Sequence, residues 1–396
     1  MRSTVKLERW TPELREWFEE SARRAGFDAA GVAAVPHTES YAAAQEESRF
    51  AAWVAAGRAG EMEYLKRRDE AGVLLRSGVQ RAMPWAESVI VCALNYNAEA
   101  PRSIDPAAKG TGWIARYAWS GRTNEDGTQT PTDYHDELLS RLRAIEQELL
   151  VQTDCTTRCY VDTGPLVERS MALQAGVGWI GKNTCVLNQQ LGSWLLLGVI
   201  VTSLPVNEAV ALLPAQDRCG SCTRCIDACP TGALLGSKDP TAAREMDASR
   251  CIAYLTIEKK GAVDESLRAQ MGRQVFGCDI CQDVCPWNRR APVGKHEGME
   301  TRAELINPAL DWLAAMDARE FRRHFKGSPL ERTGRKRLAR NVAIAMGNSG
   351  EERFLPQLEE WAETAANVAT SGGDNRADEA LRDAAKWAKE QILATR

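Results

Sequence analysis

Apolar residues between positions 27 and 205 fall alternately into short continuous runs and into runs with the spacing of an amphipathic helix. The continuous runs predict buried strands and lie at residues 29–35, 88–94, 159–162 and 191–204. Helices are predicted to begin at Thr11, Tyr41, Tyr134 and Leu166. Strands that alternate with helices predict an α/β sandwich or sheet for this part of the chain.

Two stretches of the same part are less regular. Residues 41–69 are rich in alanine and charge and predict one long helix. Its larger apolar side chains are expected in the core: Trp53, Met62, Tyr64 and Leu65. Residues 120–132 are polar and contain glycine, which predicts a surface loop.

The pattern changes in the second half of the chain. Residues 214–290 predict short helices between groups of cysteines, and residues 302–396 are helical almost throughout. Residues 340–350 have the pattern of one helix and turn of a HEAT-like repeat, which predicts a short stack of helix pairs. We predict an α+β protein with three domains, at residues 1–210, 211–295 and 296–396.

The composition is that of an ordinary globular protein. Of the 396 residues, 26% are charged and 44% are hydrophobic, and the net charge of −4 argues against a protein that coats nucleic acid along its whole surface. The start of the chain lacks the apolar core of a signal peptide, and the run at residues 191–204 is too short and too interrupted to cross a membrane. With twelve cysteines, the expectation is a cytoplasmic iron–sulfur protein without a membrane segment.

Cysteine spacing carries the strongest chemical signal. Cys219, Cys222, Cys225 and Cys229, followed by Pro230, form the C-x2-C-x2-C-x3-C-P run with which bacterial-type ferredoxins hold 4Fe–4S clusters. Cys278, Cys281 and Cys285 before Pro286 form most of a second run, and Cys251 is the only nearby candidate for its missing member. The cysteine before each proline binds the partner cluster. This predicts one cluster on Cys219, Cys222, Cys225 and Cys285, and another on Cys229, Cys251, Cys278 and Cys281.

Zinc and disulfide bonds are the simpler alternatives for these cysteines. Zinc sites use paired C-x2-C hooks, and three cysteines at this spacing would crowd a tetrahedral ion. Disulfides are unusual in a chain without a secretory segment. Two 4Fe–4S clusters therefore account best for the motif.

A further candidate site follows the predicted strand at residues 159–162. Asp162 stands where this strand meets a turn, and carboxylates at strand ends often face a cleft. From the residues alone, capping of the next helix is the more frequent role of such an aspartate. Glu168 and Arg169 could equally form a solvated helix face, and Lys182 with Asn183 could be an ordinary turn.

The sequence VDTGPLVERSMALQAGVGWIGKNT at residues 161–184, followed by GSWLLLG and the double cysteine motif, resembles the epoxyqueuosine reductases. RYAW and DYH, at residues 116–119 and 133–135, resemble the same family. The resemblance implies a cobalamin-binding α/β core like that of reductive dehalogenases, a ferredoxin-like domain with two 4Fe–4S clusters, and a HEAT-like tail. It also implies reduction of epoxyqueuosine to queuosine in tRNA anticodons.

The resemblance assigns roles to individual residues. Asp162 would donate a proton, and the corrinoid would be bound without an axial histidine from the protein. The implied corrinoid contacts are Arg76, Tyr117, Asp162, Val167, Lys182, Asn183 and Val186. A carboxylic acid can act as a general acid only if its surroundings keep it protonated, which predicts a buried Asp162.

A tRNA substrate requires a basic surface. Residues 316–340 carry nine basic side chains against three acidic ones, which is also the pattern of a solvated helix face. In the context of the resemblance we predict tRNA contacts at Arg335, Lys336, Arg337 and Arg340. The implied partners are a tRNA anticodon stem-loop and an external low-potential electron donor, and a monomer is expected.

Other functions remain compatible with the motifs. A reductive dehalogenase-like cobalamin enzyme would act on a small molecule in a dry, closed pocket. An electron-transfer module would contain iron and sulfide without cobalt. A zinc-binding tRNA-interaction protein would be colourless.

Overall fold

The computed structural model describes residues 6–207, 210, 212–237, 239, 244–364 and 376–394. The N-terminal helices are α1 (Pro12–Arg24), α2 (Tyr41–Ala55), α3 (Val79–Ala82), α4 (Tyr134–Gln152) and α5 (Glu168–Gln174). The N-terminal strands are β1 (Ala29–Ala34), β2 (Ser88–Asn95), β3 (Trp113–Ile114), β4 (Ser120–Thr123), β5 (Gln129–Pro131), β6 (Thr157–Tyr160), β7 (Trp179–Ile180), β8 (Val186–Leu187) and β9 (Leu195–Thr202).

The cysteine-rich and C-terminal parts are mainly helical. The cysteine-rich part contains α6 (Arg224–Ala228), α7 (Ile252–Ile257), α8 (Glu265–Arg268), β10 (Gln274–Phe276) and α9 (Ile280–Asp283). The C-terminal part contains β11 (Glu300–Thr301), α10 (Leu310–Ala315), α11 (Ala318–Phe325), α12 (Gly334–Ser349), α13 (Leu355–Thr364) and α14 (Arg376–Ala394). No helix within the described ranges is both long and apolar enough for a membrane span.

A four-stranded antiparallel sheet in the order β1-β2-β9-β6 forms the N-terminal core. Alternate residues of β2 pack on opposite faces, so Ile90 and Cys92 join the core under α1 and α4, whereas Val89 and Val91 join the core under α5. Helices cover both faces, which explains why β2 and β9 are nearly continuous apolar runs. The predicted mixed α/β fold is confirmed for this part.

The start of α4 is fixed by a cap that also shapes the candidate site. Asp133 is the N-cap, and its carboxylate accepts a hydrogen bond of 3.0 Å from the backbone N–H of His135. The helix then buries Leu138, Leu142 and Ile145 against the sheet. Its first turn therefore holds Tyr134 and His135 in fixed positions beside the loop that follows β6.

Residues 120–132 were predicted as a surface loop, and this prediction is wrong. They form the hairpin β4–β5, with Gly127 in the left-handed conformation (φ 77°) at its turn. Strand β11 pairs with β4 through Glu300 and Thr301 and makes a third strand. Because this partner comes from a distant part of the chain, the local pattern could not show the pairing.

The single helix predicted for residues 41–69 is also wrong. Helix α2 ends at Ala55, and Gly57 and Gly60 follow with φ of 73° and 55°, which a continuing helix does not allow. Met62 is buried as expected, but Tyr64 is 46% exposed and lies under the guanidinium of Arg76 at 5.4 Å.

The largest hydrophobic core crosses the predicted domain boundaries. It joins Ile114 and Trp119 of the N-terminal part to Val275 and Phe276 of the cysteine-rich part and to Val342 of α12, among others. Strand β3 also pairs in parallel with β10. The three-domain division stays a prediction, and the structure packs its second and third units around one shared core.

Candidate functional site

The eight motif cysteines form two groups in space. Burial raises the pKa of Cys225 to about 12, with further contributions from the thiols of Cys285, Cys219 and Cys222. Burial likewise raises the pKa of Cys278 well above its usual value, and its thiol neighbours are Cys251 and Cys229. Cys281 has Cys278 and Cys251 as neighbours. We call these groups the outer cysteine set (Cys219, Cys222, Cys225, Cys285) and the inner cysteine set (Cys229, Cys251, Cys278, Cys281).

The surroundings of these thiols suit an anionic iron–sulfur cube. All twelve cysteines are free thiols. Backbone N–H groups donate to the sulfurs of Cys251, Cys278 and Cys285, and each such bond lowers the pKa of the thiol against the effect of burial. Among the described residues, no three Cys, His, Asp or Glu side chains converge as they would on one ion. Each cysteine of a cube binds a different iron, so wider spacing is expected.

Asp162 lies just beyond the end of β6 in a left-handed backbone conformation, with φ of 57°. The phenolic O–H of Tyr134 donates to Asp162 Oδ2, and His135 Nε2 lies 3.7 Å from the same oxygen. Arg76 donates to the Asp162 carbonyl at 3.4 Å. The Asp162 side chain is 54% exposed, so the burial predicted for it is not provided by the protein. Aspartate tolerates this backbone conformation better than most residues, at some cost in energy.

A second layer of contacts holds the two side chains beside Asp162. His135 Nδ1 lies 2.7 Å from Asp133 Oδ1, and Arg332 Nη1 lies 3.0 Å from His135 Nε2. Although burial opposes it, the hydrogen bonds from His135 and the charge of Arg332 keep the pKa of Asp133 below its usual value. Arg332 precedes α12, so a C-terminal residue helps to fix the surroundings of Asp162.

Aromatic contacts connect Asp162 to the inner cysteine set. The ring of Tyr117 lies 5.8 Å from that of Tyr134 and 5.9 Å from that of Phe276, which precedes Cys278 by two positions. Burial, followed by the charge of Asp162, raises the pKa of Tyr134 well above its usual value. Tyr134 therefore stays protonated and remains a hydrogen-bond donor to the carboxylate.

The other implied corrinoid contacts occupy different environments. Lys182 is buried and donates to the carbonyl of Gly220 at 2.8 Å, so it ties this turn to the loop of the outer cysteine set. Asn183 Oδ1 accepts a hydrogen bond of 3.2 Å from the backbone N–H of Cys185, while the buried Nδ2 of the same side chain has no partner among the described residues. Val186 is buried in the core under α5, and Val167 is half-buried at the N-cap of α5.

The sequence leaves Glu168 open to a solvated role and does not single out Cys185, but the structure gives both a place at the site. Burial, followed by the charge of Asp162, raises the pKa of Glu168 to about 7, so its carboxyl is not on a solvated helix face. Its buried Oε1 has no partner within the described part of the chain. Cys185 shares a sulfur–sulfur hydrogen bond with Cys281 of the inner set. In the sequence, only the position of Cys185 shortly after Lys182 and Asn183 indicated that it lies near the site.

The predicted tRNA contacts divide into exposed and buried residues. Arg335 and Lys336 are exposed, although Lys336 pairs with Asp378 at 2.5 Å. Arg337 is half-buried and donates a hydrogen bond of 2.8 Å to the carbonyl of Ile257. Arg340 is 0% exposed and donates to the carbonyls of Leu255, Lys259 and Gly261, so its assignment as a tRNA contact is wrong. It satisfies the backbone at the end of α7 instead.

Together, the fold and the thiol arrangement define a double-cluster iron–sulfur protein with an aspartate that aromatic contacts link to the inner set. Residues 218–288 match the family model described as 4Fe-4S double cluster binding domain. Residues 76–163 match the model described as Epoxyqueuosine reductase QueG, DUF1730. The epoxyqueuosine reductase of Xanthomonas campestris is 36% identical over 85% of this chain and 88% of its own length. The chain belongs to the epoxyqueuosine reductase family.

Other relatives agree with this assignment. The Escherichia coli epoxyqueuosine reductase is 33% identical over 91% of this chain and 86% of its own. An epoxyqueuosine reductase crystallised with an epoxyqueuosine-modified tRNA-Tyr stem loop superposes with a TM-score of 0.77 at 28% identity, covering 96% of this chain and 90% of its own. A Bacillus subtilis structure, described with its catalytic loop swung out of the active site, gives a TM-score of 0.76 at 28% identity, with the same coverage.

Proposed function

We propose that this protein reduces the epoxide of epoxyqueuosine in tRNA to the alkene of queuosine. The observation that carries the proposal is the position of Asp162. Tyr134 and His135 hold its carboxylate, and Tyr117 with Phe276 connects this site to the inner cysteine set. Removal of the epoxide oxygen as water takes two electrons and two protons, so an acid that packed aromatic rings link to an electron source meets the chemical need.

The proposal predicts a defined product. The chain, reconstituted anaerobically with iron, sulfide and cobalamin, should convert epoxyqueuosine-containing tRNA when a low-potential reductant is supplied. Mass spectrometry of the digested nucleosides should show the loss of one oxygen atom. A preparation that holds both clusters and the corrinoid but releases no queuosine would contradict the proposal.

We infer that a corrinoid completes the site. Two buried polar atoms in this region, Glu168 Oε1 and Asn183 Nδ2, have no partner in the described residues, and Arg76 adds a cation beside Asp162. Such groups suit the amide-rich rim of a corrin ring, because buried polar atoms require hydrogen-bond partners. Tyr117, Val167, Val186 and the backbone around Lys182 would complete the contacts. When bound, the corrinoid would supply the low-potential metal centre between the clusters and the epoxide.

The chain's own residues would manage the protons. Asp162 would hold the proton that the leaving oxygen takes, and the Tyr134 and His135 side chains would fix the direction of its carboxyl group. The Asp162 side chain is 54% exposed in the protein alone, so bound ligands would have to cover it to keep the carboxyl group protonated. Glu168, with its pKa raised to about 7 by burial and by Asp162, could hold the second proton near neutral pH.

The tRNA surface is better placed on α11 than on α12. Arg319, Arg322, Arg323 and Lys326 are exposed along α11 and line an open groove of about 680 Å³ together with Asp317 and Glu320. The chain from Lys326 to Arg332 can span at most about 22 Å. Phosphates bound on α11 would therefore place a tRNA loop within reach of the Asp162 site.

Replacement of Arg319, Arg322 and Arg323 by alanine should weaken binding of a tRNA stem-loop. Each lost phosphate contact should reduce the slope of log affinity against log salt by about one. Fluorescence anisotropy across a salt series measures both effects. A matched variant with Arg9, Arg23 and Arg143 replaced by alanine should bind normally, because these exposed residues lie on or beside α1 and α4. Equal slopes for the two variants would reject α11 as the tRNA surface.

Several expectations stay predictions. They are the HEAT-like character of the C-terminal helices, a monomeric state, a cytoplasmic location, an external low-potential electron donor, and tRNA contacts at Arg335 and Lys336. Arg337 could contribute only through its half-exposed surface, because its guanidinium already donates to the carbonyls of Ile257 and Arg332.

A further inference from the structure

The two cysteine sets differ in their access to solvent. In the loop of the outer set, Gly220 and Ser221 are exposed between the ligand positions. Around the inner set, Ile252, Gly277, Asp279 and Gln282 are buried, although Pro230 and Arg250, next to Cys229 and Cys251, are exposed. The outer set therefore offers an external electron carrier more exposed chain than the inner set does.

Four exposed arginines flank the cysteines of the outer set in the chain. Arg218 and Arg224 directly precede Cys219 and Cys225, and Arg289 and Arg290 follow shortly after Cys285. The two sides of the set meet at one place, since Trp179 packs on Trp287 at 5.0 Å and both rings share an apolar cluster with Cys219 and Cys285. We call the four residues the arginine rim (Arg218, Arg224, Arg289, Arg290).

The arginine rim keeps its positive charge available. None of its four side chains forms a hydrogen bond or an ion pair with another described residue. The nearby acid Asp217 pairs with Arg244, and Asp227 accepts a hydrogen bond from Thr223 at 2.8 Å. The surface over the outer set is thus positive in a chain whose net charge is −4.

We propose that the arginine rim is the docking surface for an acidic one-electron carrier protein, which delivers electrons to the outer cysteine set. Charge complementarity selects the partner, because a positive rim attracts a protein with a negative face and accelerates their encounter. Each transfer would oxidise the carrier by one electron and reduce a cluster held by the outer cysteine set by one, and a cluster held by the inner set would accept that electron next. Two such encounters supply one reduction of the epoxide, so the inference rests on the proposed function for its purpose.

The test measures cluster reduction directly and needs neither tRNA nor cobalamin. A variant with Arg218, Arg224, Arg289 and Arg290 replaced by glutamate is reconstituted with both clusters and mixed anaerobically with a reduced, acidic 2Fe–2S ferredoxin. Bleaching of the 4Fe–4S absorbance in a stopped-flow instrument gives the second-order rate. At low salt this rate should fall by about tenfold or more, and the difference should shrink as salt increases.

A matched control separates docking from net charge. Replacement of Arg9, Arg23, Arg143 and Arg158 by glutamate makes the same change in net charge at exposed positions on or beside α1, α4 and β6, and should leave the rate unchanged. Reduction by titanium(III) citrate tests whether the clusters in each variant remain competent. Equal rates for both variants would overturn the proposal. So would loss of tRNA stem-loop affinity with unchanged reduction by ferredoxin, which would make the rim an RNA surface.

Discussion

Replacement of Asp162 by asparagine should reduce single turnover of epoxyqueuosine-containing tRNA by about 10²- to 10⁴-fold, the usual contribution of a general acid. Asparagine tolerates the left-handed backbone at this position and can accept the hydrogen bond from Tyr134, so the loop should keep its shape. Only the transferable proton is removed. Quench-flow sampling followed by nucleoside mass spectrometry measures the rate.

Asp154 offers a matched control for this substitution. Its side chain is 90% exposed in the connection between α4 and β6, and Asp154→Asn makes the same chemical change away from the site. Both variants should show unchanged iron content and optical spectra. If Asp162→Asn turned over at the rate of the parent protein, Asp162 would be removed from the mechanism, although the chain's family assignment would stand.

Replacement of Cys251 by alanine should remove the inner cluster and abolish turnover. Iron should fall from about eight atoms to about four per chain, because a 4Fe–4S cube normally takes four cysteine ligands. The thiol of Cys251 is a close neighbour of Cys229 and Cys278, so no other motif cysteine is free to take its place. Iron and sulfide analysis with electron paramagnetic resonance of the reduced protein would show which cluster is lost.

Cys155→Ala is the corresponding control, since Cys155 is a half-buried free thiol outside both sets. It should retain both clusters and full turnover. Eight irons in Cys251→Ala would show that the ligand assignment is wrong. Cys185, which already contacts Cys281, would then be the first residue to test as a substitute ligand.

The grouping of the eight motif cysteines into two sets could be predicted because such motifs are defined by short spacing along the chain. The spacing from Cys219 to Cys229 predicts cluster binding in any fold. The rule that each cysteine before proline binds the partner cluster adds Cys285 to the predicted ligands. Asp162 was recognisable through the sequence around it. Its partner Tyr134 lies 28 residues away in the chain, and Arg332 lies 170 residues away, so their contacts appear only when α4 and the C-terminal part are folded.

Charge patterns were less informative than metal-binding patterns. Arg335 and Arg340 look alike in the sequence, yet one is exposed and the other is fully buried among backbone carbonyls. Glu168 was open to interpretation as a solvated residue, whereas burial raises its pKa to about 7. Which face of a helix is covered depends on distant segments, and only the tertiary structure supplies that information.

The parallel pairing of β3 with β10 has a consequence for how this protein can change over time. The cysteine-rich segment pairs with the N-terminal part through Trp113 and Gln274. Residues of α12 belong to the same hydrophobic core. Recombination could therefore not replace this segment with another ferredoxin domain unless the residues packed against it also changed. The segments proposed to bind tRNA, to hold the clusters and to position Asp162 therefore depend on one core, and selection must act on them jointly.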